Sequence, residues 1–424
     1  MDDTETAEAA SPAAPPLTVT VPLHRNRDFA LLWTGQAVST LGTELSAIGF
    51  PLLVLALTGS AGRAGLVGSA ELVAMLCMLL PAGRAVDRRP RKRIMVASSL
   101  VQLVAVGSVS AAVLAGRAHL LHLAVAGAVA GAASAFYIGA NRGAVRRIVP
   151  PTQLGQALSR TQARDQAAAV LGPPAGGGLF GLSRALPFGL DALSFGVVAL
   201  AAALVRAPLD PEPPAEPAPA RPPLTAGLRF VLADRYLRTV AVWAAAINAI
   251  ATGMMLAVIV LARHRGAGPA TIGAITATFA IGGLAGALLA PRLIERHSNR
   301  LLVLVASWLL VPCAAVMVLV PAPWLIGVAG AVSVGAIAPV NVVLLSRAYA
   351  LAPHHLQGQA GNAMLLLGSS VKWSAPAVFG VLADSLGPVA AVLIGAGLYA
   401  ATAVWLQGRG ELRELDAPVP EPAA

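Results

Sequence analysis

The sequence predicts an all-α membrane protein in which twelve transmembrane helices form two pseudo-repeated six-helix halves. Three observations carry that expectation. Of 424 residues, 57% are hydrophobic and only 12% charged, with a mean hydropathy of +0.73, whereas soluble domains carry about 25% charge. So few polar side chains cannot clothe a water-facing surface, and lipid must cover much of it. Uninterrupted apolar runs near the roughly 20 residues needed to cross a bilayer recur along the chain. Those runs divide six and six about one long polar connection.

Residues 1–28 open with MDDTETAEAASPAAPP, which is acidic, rich in Ala and Pro and without an apolar stretch. The segment reads as a disordered cytoplasmic tail rather than a secretory or transit signal. The N-terminal half, 29–205, holds spans at about 30–57, 65–83, 94–115, 119–139, 158–181 and 187–205. RNRDFALLW leads into the first, AGRAVDRRPRKRIM separates the second from the third, and VPPTQLGQA follows the fourth. The fifth carries LGPPAGGGL, where adjacent prolines favour a kink and the glycines permit close helix approach. PFGLDALSFG opens the sixth.

A cytoplasmic linker, 206–238, follows; its APLDPEPPAEPAPARPP is too rich in proline to be helical inside. The C-terminal half, 239–407, holds spans at about 239–262, 270–290, 301–320, 323–346, 359–382 and 387–407. The remainder, 408–424, reads as a second cytoplasmic tail. Corresponding places in the two halves echo each other. VPPTQLGQA resembles APHHLQGQA, RNRDFALLW resembles ADRYLRTVAVW, and DRRPRK between spans 2 and 3 resembles ERHSNR between spans 8 and 9. Weak internal repeats of this kind mark transporters, with the pathway between the repeats near mid-membrane.

A net charge of +10 would suggest a nucleic-acid partner in a soluble protein. Here its placement decides. With both termini in the cytoplasm, 24 of the 30 Lys and Arg residues fall on the cytoplasmic side, five on the other, and Lys372 inside a span. That asymmetry is the positive-inside pattern, so the charge reports topology, and no nucleic-acid partner is expected. Cys77 and Cys313 lie in apolar runs without metal-ligand spacing and read as buried packing residues. No phosphate-binding loop, metal cluster or cofactor site is expected, and no enzyme.

Ionisable groups inside a bilayer cost roughly 2.5–3.5 kcal/mol on insertion scales, so each needs a reason to be there. Glu44 lies near the centre of span 1, in STLGTELSAIGF, among Ser39, Thr40, Thr43 and Ser46. It is the first candidate for a proton-titrating or cation-binding carboxylate; a structural hydrogen bond to a neighbouring helix is the alternative. Lys372, in GSSVKWSAP of span 11, is the only lysine besides Lys92, and either joins the pathway or sits in a static ion pair. Arg164 and Asp165 enter span 5 as neighbours pointing about 100° apart, so they need not pair; contacts with span 8 compete with plain solvation. Asp191 is placed in the first turn of span 6, where the helix dipole favours a carboxylate. Asn248 and Trp243 in span 7 and Asn341 in span 10 are candidate cavity-lining groups, or packing glue.

The pattern G-x-x-x-D-R between spans 2 and 3, here Gly83, Asp87 and Arg88, together with six plus six spans, resembles the major facilitator superfamily. RNRDFALLWTGQAVSTLG, PLLVLALTGSAGRAGLVG, RGAVRRIVPPTQLGQA, LGPPAGGGL and PFGLDALSFG follow the order of its enterobactin-exporter-like and macrolide-efflux-like branch. Pro90 stands where the family's loop pattern has glycine, before the basic Arg91 and Lys92. The resemblance implies a cytoplasmic gate in which Asp87 caps the N-terminus of span 11 or pairs with Arg142. It implies that spans 2 and 11 face each other, which would let Glu71 reach Lys372. Gly172, Pro173, Gly176 and Gly177 match its antiporter pattern.

The expected function is secondary export of an amphipathic or hydrophobic small molecule, of antibiotic or siderophore type, by proton antiport with alternating access. The expected setting is a monomer in the bacterial inner membrane, with the lipid bilayer, protons and the substrate as its only partners. An importer of the same fold is the alternative, and a non-transporting membrane sensor or assembly protein a more distant one.

Overall fold

The computed structural model describes residues 22, 23, 25–209, 226–353 and 356–416. Most of the first expected tail, the end of the second (417–424) and the proline-rich core of the linker lie outside the described residues. Backbone amides in lipid must find partners within their own segment, so the apolar runs become helices. The first six are α1 (Arg27–Thr58), α2 (Ala61–Arg88), α3 (Arg91–Leu114), α4 (Leu120–Ile148), α5 (Leu154–Leu182) and α6 (Leu186–Leu204). After a short α7 (Ala226–Ala233) come α8 (Arg235–His264), α9 (Pro269–Arg296), α10 (Asn299–Leu319) and α11 (Pro323–Leu351). Span 11 is two helices, α12 (Gln357–Ser369) and α13 (Ala375–Leu386), joined through a 3-10 turn at Lys372–Ser374, and α14 (Pro388–Gln407) ends the bundle.

Local chemistry sets the helix ends. The Asn26 side chain accepts from the Phe29 N–H at 3.1 Å and starts α1, and Asp234 does the same for α8 through Leu237 at 2.8 Å. Gly59, at φ 67°, takes the left-handed conformation that stops α1 and allows α2 to begin two residues later. Among the described residues, eleven of the spans are long and apolar enough to cross a membrane. The twelfth, α5, is long enough but mixes polar residues, as in SRTQARDQ, with the Gly and Pro of its second part.

Two expected boundaries move. The linker expected over 206–238 contains α7 and the first turn of α8, because Asp234 caps that helix earlier than the apolar run suggested. The tail expected from 408 includes an ordered 3-10 segment, Gly410–Asp416. There Leu415 is buried, its carbonyl accepts from the Asn299 side chain at 3.3 Å, and Glu411 pairs with Arg235 at 3.3 Å.

Packing repeats between the halves. In the first, α2 lies on α4, α3 on α4 and α6, and α1 on α5 and α6; in the second, α9 lies on α11, α10 on α11 and α14, and α8 on α13 and α14. The seams are rich in Gly, Ala and Ser, which let backbones approach where no hydrophobic effect drives helices together. Large apolar side chains face outward instead: Leu182 is 81% exposed and Leu319 77%. The halves themselves meet through α2 against α13 and α5 against α9.

Candidate functional site

The central feature is a cavity of about 710 Å³ between the halves. Glu44 of α1, Gln166 and Pro173 of α5, Asn248 and Thr252 of α8, Thr276 of α9 and Lys372 all line it. Met254, Met255, Val258 and Phe279 supply much of its apolar wall. Among the described residues Glu44 and Lys372 are its only charged groups, and both are half-buried. Neither makes a hydrogen bond or ion pair among the described residues.

Each polar group reaches the cavity for a local reason. Gly172 packs against the Glu44 side chain and Gly176 against the Leu45 backbone, so α5 crosses α1 at the level of that carboxylate. Asn248 donates to the Gly368 carbonyl at 3.1 Å, tying α8 to the last turn of α12 just before the span breaks. The break lifts Lys372 out of regular helix. It also gives α13 its own N-terminus inside the span, with Pro376 in its first turn, a discontinuity of the kind that accompanies binding sites in transporters.

One end of the cavity is sealed. A β-carbon at Gly65 would collide with the Pro376 carbonyl, one at Gly380 with the Ala61 carbonyl, and one at Gly177 with the Pro269 carbonyl. The Ala377 N–H, in the first turn of α13, donates to Ser69 Oγ of α2 at 3.2 Å. Nearer the surface, Asp384 of α13 receives three bonds from the start of α2. Ser60 Oγ donates at 2.5 Å, the Ala61 N–H at 2.7 Å and the Gly62 N–H at 2.9 Å.

The opposite end is not sealed in this way. Gly83, Asp87, Arg88 and Arg142 are exposed, and a β-carbon at Gly83 would meet nothing within 4 Å. Asp87 makes neither of its expected contacts: it has no ion pair with Arg142, and α12 packs on α7 and α8. The cause is geometric, since α2 and span 11 converge at the other end. Arg91 and Lys92 do have partners. They donate to the Leu209 carbonyl at 3.4 Å and the Val205 carbonyl at 2.9 Å, while Asp28 accepts from the Arg206 and Ala207 N–H groups at 3.1 and 2.8 Å. The start of the linker is thus fastened to the first half by three charged side chains.

Other expectations need correction. Glu71 forms no ion pair with Lys372; its stem lies against Gly127 and Gly131 of α4. Arg164 and Asp165 do pair, at 2.7 Å, because a long guanidinium folds back across the 100° that separates them. Contact with α9 is made instead by Gln166, which donates to the Ala280 carbonyl at 2.7 Å. Asp191 is not in a first turn, since α6 starts at Leu186; it is 2% exposed and bonded by Ser46 at 2.5 Å and Thr43 at 3.4 Å, both from α1. Asn341 is exposed on α11 and Trp243 is buried in the second half, and neither lines the cavity. Cys77 is exposed on α2, whereas Cys313 is buried as expected. Asp384, Gln166 and Ser69 were not singled out by sequence.

Comparison with known proteins agrees with this architecture. The sequence profile described as Major Facilitator Superfamily matches residues 32–371. The multidrug efflux pump Tap of Mycolicibacterium fortuitum is 28% identical over 401 residues, covering 88% of this chain and 89% of that protein. Tap of Mycobacterium tuberculosis (strain ATCC 25618 / H37Rv) is 32% identical over 233 residues, about half of each chain (51% and 53%). Among solved structures, the nucleoside transporter NupG aligns with a TM-score of 0.72 at 11% identity, covering 90% of this chain and 98% of that one. An inward-facing bacterial homologue of the iron transporter ferroportin aligns at 0.67 and 17%, covering 90% and 100%.

Proposed function

We propose that this chain, which belongs to the major facilitator superfamily, exports an amphipathic or hydrophobic small molecule by proton antiport. The observation that carries the reading is the cavity: largely apolar, sealed at one end by helix seams, and holding one uncompensated carboxylate, Glu44. The likeness to multidrug efflux pumps over most of the chain supports the direction of transport. Lys and Arg density around Asp87 supports placing that end, and both termini, in the cytoplasm of a bacterial cell. The structure is then open toward the cytoplasm, ready to load substrate from inside or from the inner leaflet, and acts as a monomer.

In this mechanism a proton on Glu44 and a substrate in the cavity exclude each other. Substrate loads against the apolar wall while Glu44 is ionised. Closure at Asp87 and parting of the α2–α13 and α5–α9 seams expose the cavity to the other side. Protonation of Glu44 there makes it neutral, which favours release of the substrate and return of the empty carrier. Asn248 and Lys372 orient polar parts of the substrate.

The test is accumulation of a panel of amphipathic compounds inside inside-out vesicles energised by an imposed pH gradient, acid inside. Glu44→Gln is expected to lower gradient-driven transport at least about tenfold while leaving membrane insertion intact. Unchanged gradient-driven transport in Glu44→Gln removes Glu44 from the proton path. Accumulation of the panel by intact cells, in place of its loss, reverses the proposed direction.

A further inference from the structure

Asp384 sits in a place that its own helix does not favour. It lies in the last turn of α13, near the negative pole of that helix's dipole, where a carboxylate is destabilised. Its compensation comes from elsewhere in the chain. The first turn of α2, some 320 residues away in sequence, supplies two backbone N–H groups and the Ser60 hydroxyl, at 2.7, 2.9 and 2.5 Å. These N–H groups belong to the orphan donors that every helix start presents. Ser60 Oγ also accepts from the Arg63 N–H at 3.1 Å, so the hydroxyl relays the cap into the next residues of α2.

The packing makes this contact conditional on closure. Gly62 leaves room for the carboxylate, since a β-carbon there would stand 3.0 Å from Asp384 Oδ2. Gly65 and Gly380 let the two backbones touch at the same level. All three bonds cross between the halves, so any motion that separates α2 from α13 breaks them together. Antiparallel pairing sets the last turn of α13 beside the first turn of α2, whereas α12, which opens the same span, packs mainly on α7 and α8. Asp87 ends α2 as Asp384 ends α13, and the N-cap of α12 is Leu356, whose side chain can accept no hydrogen bond. In this structure the Asp384 end is made and the Asp87 end is not.

We propose that Asp384 is the latch of the sealed end: its carboxylate holds the first turn of α2 only while that end is closed, and its release accompanies opening. It is a positioning residue, acting through α2 on access to the cavity. The inference rests on the alternating-access part of the proposed function and not on proton coupling or on substrate identity.

The experiment reads access directly, in full-length protein in membrane vesicles of both orientations, on a Cys77→Ser, Cys313→Ser background. Gly68→Cys reports the seam, where a β-carbon has Pro376 only at 3.9 Å. Thr252→Cys reports the cavity. A membrane-impermeant maleimide is applied to each face in turn. Asp384→Asn is expected to raise labelling at Gly68→Cys from the sealed face about tenfold, equivalent to about 1.4 kcal/mol, and to lower labelling at Thr252→Cys from the opposite face. Asp384→Glu, which keeps the charge on a longer arm, is expected to shift both less. Unchanged labelling at Gly68→Cys in both Asp384→Asn and Asp384→Ala overturns the proposal. So does a rise at both reporters, which would mean general loosening. The Glu44→Gln transport result moves neither reporter's interpretation, so the two readings fail separately.

Discussion

At its first turn α2 lies against α13 with glycine facing carbonyl, two N–H groups bound to Asp384 and Ser69 accepting from Ala377. At its last turn the same helix carries Gly83, Asp87 and Arg88 into the open, with no β-carbon contact at Gly83 and no partner for Asp87 among the described residues. Both ends carry the same ingredients, a glycine for close approach and a charge suited to a helix pole. Only one set is engaged. In lipid, greasy side chains gain little by leaving the bilayer for a seam, so a seam must close by backbone proximity and capping. Such contacts form and break over small displacements, which suits a gate better than a broad apolar interface would.

The largest expected effect comes from forcing the closed end apart. Gly65→Val puts branched carbon where the Pro376 carbonyl now stands. Overpacking of this kind costs about 1–3 kcal/mol, enough to shift a two-state population roughly 5- to 150-fold. Labelling of Thr252→Cys from the Asp87 end should fall and transport should be lost. Unchanged labelling would show that this seam does not decide access.

An intermediate effect is expected on the second seam, with a control built into the motif. Gly177 faces the Pro269 carbonyl, whereas a β-carbon at Gly178 meets nothing within 4 Å. Gly177→Ala should slow transport several-fold or more, about 1 kcal/mol of strain, and Gly178→Ala should leave it unchanged. Equal effects from the two would mean that helix propensity, not the seam with α9, explains the GPPAGG stretch.

That motif shows what sequence can convey. Its glycines read as sites of close approach, and two of them face α1 at Glu44 and Leu45 while the third faces α9. The spans, the intramembrane Glu44 and the position of Lys372 were equally legible, because hydropathy and the cost of a buried charge are local properties. Pairings were not. Asp384 sits in an unremarkable LADSLG, and its partners lie more than 320 residues away. Asp191 read as a first-turn residue although the expected start at 187 is one residue from the observed Leu186; it sits in the second turn, and its partners Ser46 and Thr43 belong to α1. The break in span 11 did leave a local sign, Pro376 after SSVKWSA, which fits a helix start better than a helix interior.

A smaller effect is expected from Asp87→Asn. With no partner among the described residues, its loss should change neither insertion nor thermal stability by more than about 0.5 kcal/mol. Transport should nonetheless fall under the proposed mechanism, in which the carboxylate is needed while the Asp87 end is closed. A loss of stability in detergent equal to the loss of transport would instead give Asp87 a folding role.

Gly83→Ala tests the same asymmetry with the least disturbance. A methyl group there meets nothing in this structure, and alanine is favoured over glycine within a helix by roughly 1 kcal/mol. The open state should be as stable as before or slightly more so. If the Asp87 end closes as tightly as the Asp384 end, the methyl group will collide only in that closed state. The substitution should then lower turnover modestly while raising labelling of Thr252→Cys from the Asp87 end, two changes of opposite sign from one added carbon. Turnover that stays constant while labelling does not change would mean that this end never approaches glycine-to-backbone distance. Closure there would then rest on charge alone, and the likeness between the two ends of α2 would be one of sequence and not of mechanism.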